Sequence, residues 1–492
     1  MSGIRVRIAP SPTGFFHIGN AKTAIINWLF ARKEGGAFIL RLEDTDTERS
    51  RAEYGEVILE ALHWLGIDWD EGPGIGSEPE RGAYGPYRQS ERRHLHLAAA
   101  ERLVAEGKAY RCFCTPEELE VMRRDVREGR RSGPLRTQWR DASPEEIAAM
   151  GDRPCAIRFK TPDGETVIDD MVQGEVRTDN REFDDFVIVK PNGDPVFHLA
   201  VVVDDGLMRI THVLRGDDHL TNAFRHAMLF DALGFDRPRF GHLPMVLDEH
   251  GKKYSKRLHG ANLLDWREDG YLPQTMVNYL ALLGWTPEEE NRELFTPEQL
   301  IEAFTVRRLG ASAAKFDRKK LDWMNGQHIR MLAPETLRDL LTPILARAGF
   351  DCSDRSPEWL TRLATICQEK LPTLNAIVGL ADFFFREPDA YEEKAVGKHW
   401  SKPNAVERLE AITMLLETTE PFTSEALHEA FKARAEAEGV GLGQFVHPTR
   451  LALTGRSVGP GLFELAELLG REKCLERVQR AIAFVKEMGG TS

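Results

Sequence analysis

Two short segments of this 492-residue chain combine residue types that suit the binding of a polyphosphate. The first, Arg7–Asn20, reads RIAPSPTGFFHIGN and follows a predicted strand, where helix N–H groups and the positive end of a helix dipole face outward. Within it, Gly19 would let a base or ribose approach the backbone, and His17 could donate a hydrogen bond to a phosphate. The second, Lys252–Arg257, reads KKYSKR and places four cations in six residues of a glycine-bracketed loop.

Each segment alone is more typical of an ordinary loop, with a plain histidine in one case and a solvated basic surface in the other. Their combination is specific, because one follows the first predicted strand and the other follows the last strand of the same domain. No GxxxxGK[ST] or HExxH motif occurs, which argues against a P-loop enzyme and a zinc protease. The run Gly72–Ser77 lacks the third glycine and the following helix of a dinucleotide-binding loop.

The elements that position these segments follow the order of an α/β sheet. Residues 4–9 alternate apolar residues with arginine, which predicts a strand, and apolar spacing over 20–33 predicts a helix. A second predicted strand, 38–42, ends in the acidic run Glu43–Asp46. The chain therefore opens with the first unit of a parallel sheet.

The order changes near residue 90 and again near residue 265. Residues 91–190 mix short helices with strand-like pieces at 156–160 and 186–189, which predicts an inserted α+β domain. The α/β order then resumes, with helices at 197–208 and 218–234 and a strand at 209–214 between them. Beyond residue 265 the apolar periodicity is almost wholly helical.

Composition limits the class of protein. Apolar residues make up 42% of the chain, which is enough for several packed cores. No apolar run reaches the roughly 18–20 residues that a membrane span needs, and six scattered cysteines predict a reducing, cytoplasmic setting. The net charge of −13 argues against nucleic acid as a partner, but an arginine cluster over 123–140 leaves one possible.

The histidine segment and the basic loop resemble the HIGH and KMSKS signatures of class I aminoacyl-tRNA synthetases. Further motifs across essentially the whole chain resemble the bacterial type of glutamyl-tRNA synthetase. They are Arg7–Gly14 (RIAPSPTG), Arg41–Asp46 (RLEDTD), Gly85–Arg92 (GPYRQSER), Val201–Asp205 (VVVDD), Val213–Gly216 (VLRG), Trp323–Gly326 (WMNG), His447–Gly455 (HPTRLALTG) and Gly459–Phe463 (GPGLF).

The resemblance implies a Rossmann-like catalytic domain split by an α+β insertion and followed by all-α stem-contact and anticodon-binding domains. With the periodicity, it places five domains on the chain. They are the catalytic domain in two halves, 1–90 and 198–260; the inserted acceptor-end-binding domain, 91–197; the stem-contact domain, 261–327; and two helical anticodon-binding subdomains, 328–385 and 386–492.

The resemblance also implies the reaction. Glutamate would attack the α-phosphorus of ATP, giving glutamyl-adenylate and pyrophosphate, and the 3′-terminal adenosine of tRNA(Glu) would then take the acyl group. The catalytic residues would be His17, Lys253, Lys256 and Arg257. ATP, accompanied by Mg²⁺, would be bound by Ser11, His17, Gly19, Asn20, Ser255 and Lys256.

The resemblance also implies which residues bind glutamate and which contact the anticodon. The amino-acid pocket would be lined by Arg7, Ala9, Ser11, Glu43, Phe197, Val201 and Arg215. Guanidinium groups suit the side-chain carboxylate of glutamate, and the carboxylate of Glu43 suits its ammonium. The anticodon would be contacted by Lys370, Arg450, Gly459, Pro460 and Leu462.

The chain departs from the family pattern at several positions. Phe197 stands where relatives commonly have tyrosine, and Val201 where some have asparagine. Cys112 and Cys114 match the first half of a zinc site, but the second half reads Gln138–Asp141 and offers neither Cys nor His. Since a tetrahedral zinc site needs four ligands, and Cys155 is poorly placed, we expect no zinc.

We expect a monomeric cytoplasmic enzyme whose partners are tRNA(Glu), L-glutamate and ATP, with tRNA(Gln) left open as a second tRNA. A truncated paralogue that glutamylates a tRNA base would lack the helical residues 330–492, and a glutaminyl-tRNA synthetase would carry a β-barrel there. A nucleotidyltransferase would not need that region. A non-enzymatic tRNA-binding paralogue would not need both intact signature segments.

Overall fold

The computed structural model describes residues 3–45, 52–130, 132–252, 254 and 262–489. The chain divides into two compact units. The first contains the residues up to Arg267 together with Pro273–Arg318, and the second contains Glu268–Leu272 and the residues from Lys319 onward. The five predicted domains do not coincide with these units, since the predicted stem-contact domain, 261–327, contains residues of both, and they remain a prediction.

The first unit opens as the sequence predicts. Strand β1 (Arg5–Ile8), helix α1 (Ile18–Lys33) and strand β2 (Ala37–Leu40) form a β-α-β unit whose strands pair in parallel, Arg5 opposite Ala37. Helix α1 begins two residues earlier than its apolar periodicity indicates, because the side chain of His17 caps it. Helix α2 (Ala52–Trp64) follows.

A smaller α+β region separates the two halves of the parallel α/β fold. Its main sheet is antiparallel, in the order β3-β4-β7, and β5 pairs with β6 in a hairpin. The helices and strands are α3 (Arg93–Ala105), β3 (Ala109–Cys112), α4 (Pro116–Arg127), α5 (Pro144–Ala148), β4 (Ala156–Phe159), β5 (Glu165–Asp170), β6 (Gly174–Asp179) and β7 (Val187–Val189).

The parallel fold then resumes with α6 (Phe197–Leu207), β8 (His212–Gly216), α7 (Leu220–Leu233), β9 (Arg239–Leu243) and β10 (Val246–Leu247). Strands β8 and β9 pair in parallel, and the N–H of Thr211 donates to the carbonyl of Arg5, so the second half lies beside β1. Strand β8 begins at residue 212 rather than the predicted 209, because Arg209 has a φ of 56° and turns the chain. The apolar run Leu199–Val203 is buried in α6.

The rest of the described chain is helical, as predicted, apart from the two-residue strand β11 (Ala314–Lys315), which pairs with β10. The helices before and at the start of the second unit are α8 (Leu263–Glu268), α9 (Pro273–Leu282), α10 (Pro297–Ala303) and α11 (Arg318–Arg330). Those that follow are α12 (Pro334–Arg347), α13 (Pro357–Gln368), α14 (Ile377–Ala381), α15 (Glu393–His399), α16 (Ala405–Thr418), α17 (Ser424–Ala437), α18 (Gly443–Thr454), α19 (Leu462–Leu469) and α20 (Arg471–Gly489). Their apolar faces share one core.

Within the described residues, no helix is long and apolar enough to cross a membrane.

Candidate active site

A cavity of about 340 Å³ opens where β1 ends and α1 begins, at the carboxyl edge of the parallel strands, where α/β sheets generally bind ligands. All the residues predicted to bind glutamate border it, and so do the predicted ATP-binding residues that the structure describes. These residues are Arg7, Ala9, Ser11, His17, Gly19, Asn20, Glu43, Phe197, Val201 and Arg215. The fold thus brings together residues that are up to 208 positions apart in the sequence.

His17 has a structural role that the sequence analysis missed. Its Nδ1 accepts hydrogen bonds from the backbone N–H groups of Gly19 at 3.1 Å and Asn20 at 3.3 Å, at the start of α1. Since Nδ1 is the acceptor, a neutral ring carries its proton on Nε2. A Cβ at Gly19 would lie 3.1 Å from two atoms of the ring, so a larger residue there would crowd His17. The HIG order therefore fixes the ring and leaves its Nε2 as the donor.

Arg7 belongs to a buried chain of alternating charges. Its Nε lies 3.2 and 3.3 Å from the two carboxylate oxygens of Asp205. Asp205 also accepts from Arg41 Nη1 at 2.7 Å, and Arg41 Nη2 donates to Glu43 Oε1 at 3.0 Å. Burial alone would raise the pKa of Asp205, but the charges of Arg7 and Arg41 hold it below the ordinary value. Burial raises the pKa of Glu43 in spite of Arg41.

The neighbouring Asp204 extends this network away from the cavity. It accepts from Arg92 Nε at 2.5 Å, from Gln89 Nε2 at 2.8 Å and contacts His96 Nε2 at 2.9 Å. These side chains are fully buried or nearly so. We call Arg7, Arg41, Glu43, Asp204 and Asp205 the ionic network.

The sequence predicted no role for Asp204, Asp205 or Arg41, although all three lie within motifs of the family resemblance. The available signal was a pair of adjacent acids in an otherwise apolar helix, Val201–Asp205. Buried carboxylates are almost always paired, so such a pair predicts buried cations nearby.

Arg215, at the end of β8, is held differently. Its Nε donates to Nε2 of His242 at 3.2 Å, its Nη1 lies 3.2 Å from Nδ1 of His226, and its Nη2 donates to the carbonyl of His219 at 3.2 Å. Among the described residues, no carboxylate forms a salt bridge with it. Burial, with the nearby charge of Arg7, lowers its pKa. A buried guanidinium without a carboxylate partner is suited to bind an anionic ligand.

Phe197 and Val201 both lie on α6 and border the cavity. The Phe197 ring packs against the rings of His198, His219 and His226, with centroids 5.5–5.9 Å apart. Phe197 therefore supplies an apolar contact beside Arg215 where a tyrosine would add a hydroxyl.

Lys253 and residues 255–261, which include the centre of the basic loop, lie outside the described residues. The roles of Lys253, Ser255, Lys256 and Arg257 therefore remain predictions. The flanking Tyr254 borders the cavity and packs against Phe316, with ring centroids 5.1 Å apart. Tyr254 of the basic loop therefore lies at the edge of the cavity.

Lys22 borders the same cavity and was not predicted. It lies one turn into α1, is buried, and donates from Nζ to the carbonyl of Pro244 at 2.8 Å. Burial lowers its pKa to about 8. It ties α1 to the loop after β9, and a cation inside an otherwise apolar helix face was the signal in the sequence.

Comparison with known proteins agrees with this geometry. The family described as tRNA synthetases class I (E and Q), catalytic domain, matches residues 3–323, and an anticodon binding domain family matches residues 336–482. The glutamate–tRNA ligase of Desulforudis audaxviator is 45% identical, with 99% of this chain and 97% of that protein covered. That of Moorella thermoacetica is 42% identical, with 99% of both covered.

A solved structure, a glutamate tRNA ligase from Elizabethkingia meningosepticum in complex with its amino acid, superposes with a TM-score of 0.88. It is 33% identical and covers 98% of this chain and 100% of its own. The chain belongs to the glutamate–tRNA ligase family. Its class I synthetase fold, with a Rossmann-like catalytic domain and a helical anticodon domain, confirms the predicted fold class.

The helical unit of this glutamate–tRNA ligase family member positions the predicted anticodon residues. Arg450, in α18, donates to the carbonyl of Pro460, and a Cβ at Gly459 would lie 3.3 Å from its Nη1. Leu462 begins α19 next to this turn. Lys370 is exposed, and its N–H donates to the carbonyl of Cys367 just after α13. The structure therefore brings four of the five predicted residues together around the turn between α18 and α19, and it places Lys370 at the end of a different helix.

The cysteine pair lies at the end of β3. Sγ of Cys112 lies 3.7 Å from Thr137 Oγ1, and Sγ of Cys114 lies 3.9 Å from Gln138 Oε1. Cys155, just before the antiparallel partner strand β4, contacts Arg111, and Arg111 points to the opposite face of the sheet from Cys112. Within the described residues, no group of three or more His, Cys, Asp or Glu side chains could hold a metal ion.

Proposed function

We propose that this chain attaches L-glutamate to tRNA(Glu) with the residues of the cavity acting as follows. The glutamate α-carboxylate attacks the α-phosphorus of ATP, and pyrophosphate leaves. The terminal adenosine of the tRNA then attacks the acyl carbon, and AMP leaves. No enzyme nucleophile is needed, so the protein accelerates both steps by positioning the reactants and stabilising charge on the phosphates.

One observation carries the assignment of glutamate: the guanidinium groups of Arg7 and Arg215 and the carboxylate of Glu43 all border the cavity. Arg215 binds the side-chain carboxylate, because its guanidinium has no carboxylate partner among the described residues. Glu43 binds the ammonium group, and Arg7, Ala9 and Ser11 contact the rest of the amino acid. Phe197 and Val201 provide the apolar wall.

ATP lies at the other end of the cavity, over the start of α1. His17 donates from Nε2 to a phosphate, and Gly19 and Asn20 present backbone N–H groups near the positive end of the helix dipole. Lys253, Ser255, Lys256 and Arg257 contact the triphosphate, which Mg²⁺ accompanies. Ser11 contributes to both ends.

The tRNA contacts are assigned to the helical unit. Arg450, Gly459, Pro460 and Leu462 contact the anticodon around the turn between α18 and α19, and Lys370 contacts it from the end of α13. A monomeric state and a cytoplasmic location are further parts of the proposal, and the charging experiment below decides whether tRNA(Gln) is a second substrate.

The protein is proposed to hold no zinc. Thr137 and Gln138 face Cys112 and Cys114 with oxygen atoms, whereas zinc sites of this kind use nitrogen and sulfur ligands. Atomic absorption of the purified protein is expected to find far less than one zinc per chain, and chelator is expected to leave activity unchanged. A stoichiometric zinc signal would contradict this part.

The proposed function is tested by charging purified tRNA(Glu) and tRNA(Gln) with labelled glutamate. We expect glutamyl-tRNA(Glu) to form and to require ATP. ATP–pyrophosphate exchange with glutamate is expected only when tRNA is present, if tRNA binding completes the site by induced fit. Absence of charging on any tRNA would overturn the proposal, and exchange without tRNA would overturn the induced-fit part alone.

A further inference from the structure

Arg215 is surrounded by histidines whose ring nitrogens have defined roles. We call His198, His219, His226 and His242 the histidine cluster. Two of these rings meet the guanidinium directly, and both must present a lone pair to it, because an arginine has five N–H donors and no acceptor. Each ring therefore needs a second partner that keeps the nitrogen facing Arg215 unprotonated.

At His242 this second partner is a buried carboxylate. Asp170 Oδ2 lies 2.6 Å from His242 Nδ1, so Nδ1 carries the proton and Nε2 accepts from Arg215. Asp170 also accepts from the N–H groups of Val172, Gln173 and His242. Burial would raise the pKa of Asp170, but these hydrogen bonds lower it to about 2. Asp170 therefore orients Arg215 without touching it.

At His226 the second partner is another histidine, His198. Nδ1 of His226 accepts from Arg215, so Nε2 of His226 carries the proton and donates to His198 Nδ1 at 3.1 Å. Burial is the largest cause that lowers the pKa of His226 and of His198, the latter to about 4. Both rings are therefore neutral near pH 7.

The cluster thus holds the cation with neutral acceptors. Three nearby carboxylates are already bonded elsewhere: Asp205 to Arg7 and Arg41, Glu43 to Arg41, and Asp170 to His242. Three of the five N–H groups of Arg215 are used by neutral partners, which leaves two for a ligand. A fork with two N–H groups matches the two oxygens of a carboxylate.

We propose that His226 and His242 are positioning residues that orient Arg215 with neutral hydrogen-bond acceptors, so that its charge stays available for the side-chain carboxylate of glutamate and rejects glutamine. This inference rests on the proposed function, since it takes Arg215 as the group that binds that carboxylate. It adds a role for two histidines, and through them for Asp170 and His198.

Asparagine and glutamine substitutions each keep one of the two hydrogen bonds of a histidine ring and remove the other. The amide of Asn takes the place of Nδ1, and the amide of Gln takes the place of Nε2. At position 226, His226→Asn keeps the acceptor for Arg215, and His226→Gln keeps only the contact with His198. At position 242 the order is reversed: His242→Gln keeps the acceptor for Arg215, and His242→Asn keeps only the contact with Asp170.

The measurement is the KM for glutamate in the charging of tRNA(Glu), with kcat and the KM for ATP determined in parallel. We expect the KM for glutamate to rise about tenfold or more in His226→Gln and His242→Asn, and clearly less in the matched variants, because a hydrogen bond to a charged group is lost only in the former. The KM for ATP is expected to stay unchanged in all four variants. A general loss of packing would not reverse the order of Asn and Gln between the two positions.

A charged variant tests the neutrality of the cluster. His226→Asp has the shape of His226→Asn but places a carboxylate beside Arg215, so we expect a much larger rise in the KM for glutamate and a smaller ratio between glutamate and glutamine in kcat/KM. Thermal unfolding of each variant checks that the fold is kept. If His226→Asp does not fold, the reversed Asn and Gln order still decides the question.

The outcomes separate the two proposals. Equal effects of Asn and Gln at both positions, or equal effects of Asp and Asn at position 226, would overturn this inference while wild-type charging upholds the proposed function. A wild-type chain that charges no tRNA with glutamate would instead overturn the proposed function.

Discussion

Arg7 and Arg215 line the same cavity and are both buried, but the protein holds them in different ways. Arg7 lies in the ionic network, where Asp205 contacts its Nε and the charges alternate as far as Glu43. Arg215 lies in the histidine cluster, where two imidazoles and one carbonyl are its hydrogen-bond partners. The two regions therefore differ in whether the charge of the arginine is balanced by the protein.

The difference shows how one pocket can be both stable and selective. A buried cation is costly unless it is paired, so the ionic network balances its own charges and can serve as a rigid wall. The histidine cluster leaves one charge unbalanced and offers it to an anion. The first region should thus be more important for folding, and the second for the choice of amino acid.

The largest expected effect is on folding, from removal of a charge in the ionic network. Asp205→Asn leaves Arg7 and Arg41 with a neutral partner of the same shape, and we expect the free energy of unfolding to fall by about 3–5 kcal/mol. Urea denaturation measures it. Asp68→Asn is the matched control, because Asp68 pairs with Arg32 at an exposed site where a salt bridge contributes about 0–1 kcal/mol. Equal losses in the two variants would show that the ionic network is not a structural centre.

The next effect is on amino-acid binding, from removal of the unbalanced cation. Arg215→Ala is expected to weaken glutamate binding by about 2–5 kcal/mol, because the ligand carboxylate loses its partner. Glutamine, which is neutral, should lose less. Competition of both amino acids in the charging reaction gives the two constants. Arg215→Lys keeps a charge but not the fork and should be intermediate; if both amino acids weaken equally, Arg215 has a structural role and the carboxylate is read elsewhere.

The histidine cluster also predicts a pH dependence of stability. Burial, with the charges of Arg225 and Arg215, lowers the pKa of His198 to about 4, whereas an unfolded chain has the ordinary value of 6.5. Between these values the unfolded state binds a proton that the folded state does not. Stability is therefore complete above pH 6.5 and is lost as the pH falls toward 4, by roughly 1–3 kcal/mol for this residue.

Urea denaturation at several pH values between 6.5 and 4 measures this slope. His198→Asn removes the titrating group while keeping an acceptor for His226, and it should make the slope shallower without abolishing it, because burial also lowers the pKa of His226 and His242. A slope that is the same in wild type and variant would mean that His198 is already accessible to protons in the folded state.

These regions also show what sequence could and could not predict. The β-α-β opening and the helical end follow from local periodicity, because each is set by residues close in sequence. The residues that line the cavity are far apart in sequence, and they follow from the motifs of the family resemblance. The partners of Arg7 and Arg215 do not, since Asp205 and His242 lie 198 and 27 positions away from them. Only the fold decides which of several buried acids and histidines reaches which arginine.

The same limit applies to His17, whose motif predicted a phosphate donor. Its capping bonds to Gly19 and Asn20 depend on the conformation where α1 begins, and residue types alone do not give that conformation. The zinc-like cysteines show the same limit: the strand pairing that separates Cys155 from Cys112 follows from register, and a sequence does not fix register by itself.

The smallest expected effect extends the comparison of cation types to the anticodon. Lys370 is exposed at the end of α13 and presents one mobile ammonium, whereas an arginine presents a rigid planar fork to a base edge. tRNA(Glu) and tRNA(Gln) differ in the third anticodon base, so Lys370→Arg is expected to widen the ratio of their kcat/KM values a few-fold by penalising tRNA(Gln).

Lys432→Arg, at an exposed position of α17, is the control for added guanidinium charge. Both are measured at one fixed salt concentration, because phosphate contacts change with salt. An unchanged ratio in Lys370→Arg would mean that position 370 contacts only phosphate or solvent, and the choice of tRNA would then depend on the turn of Arg450 and Pro460.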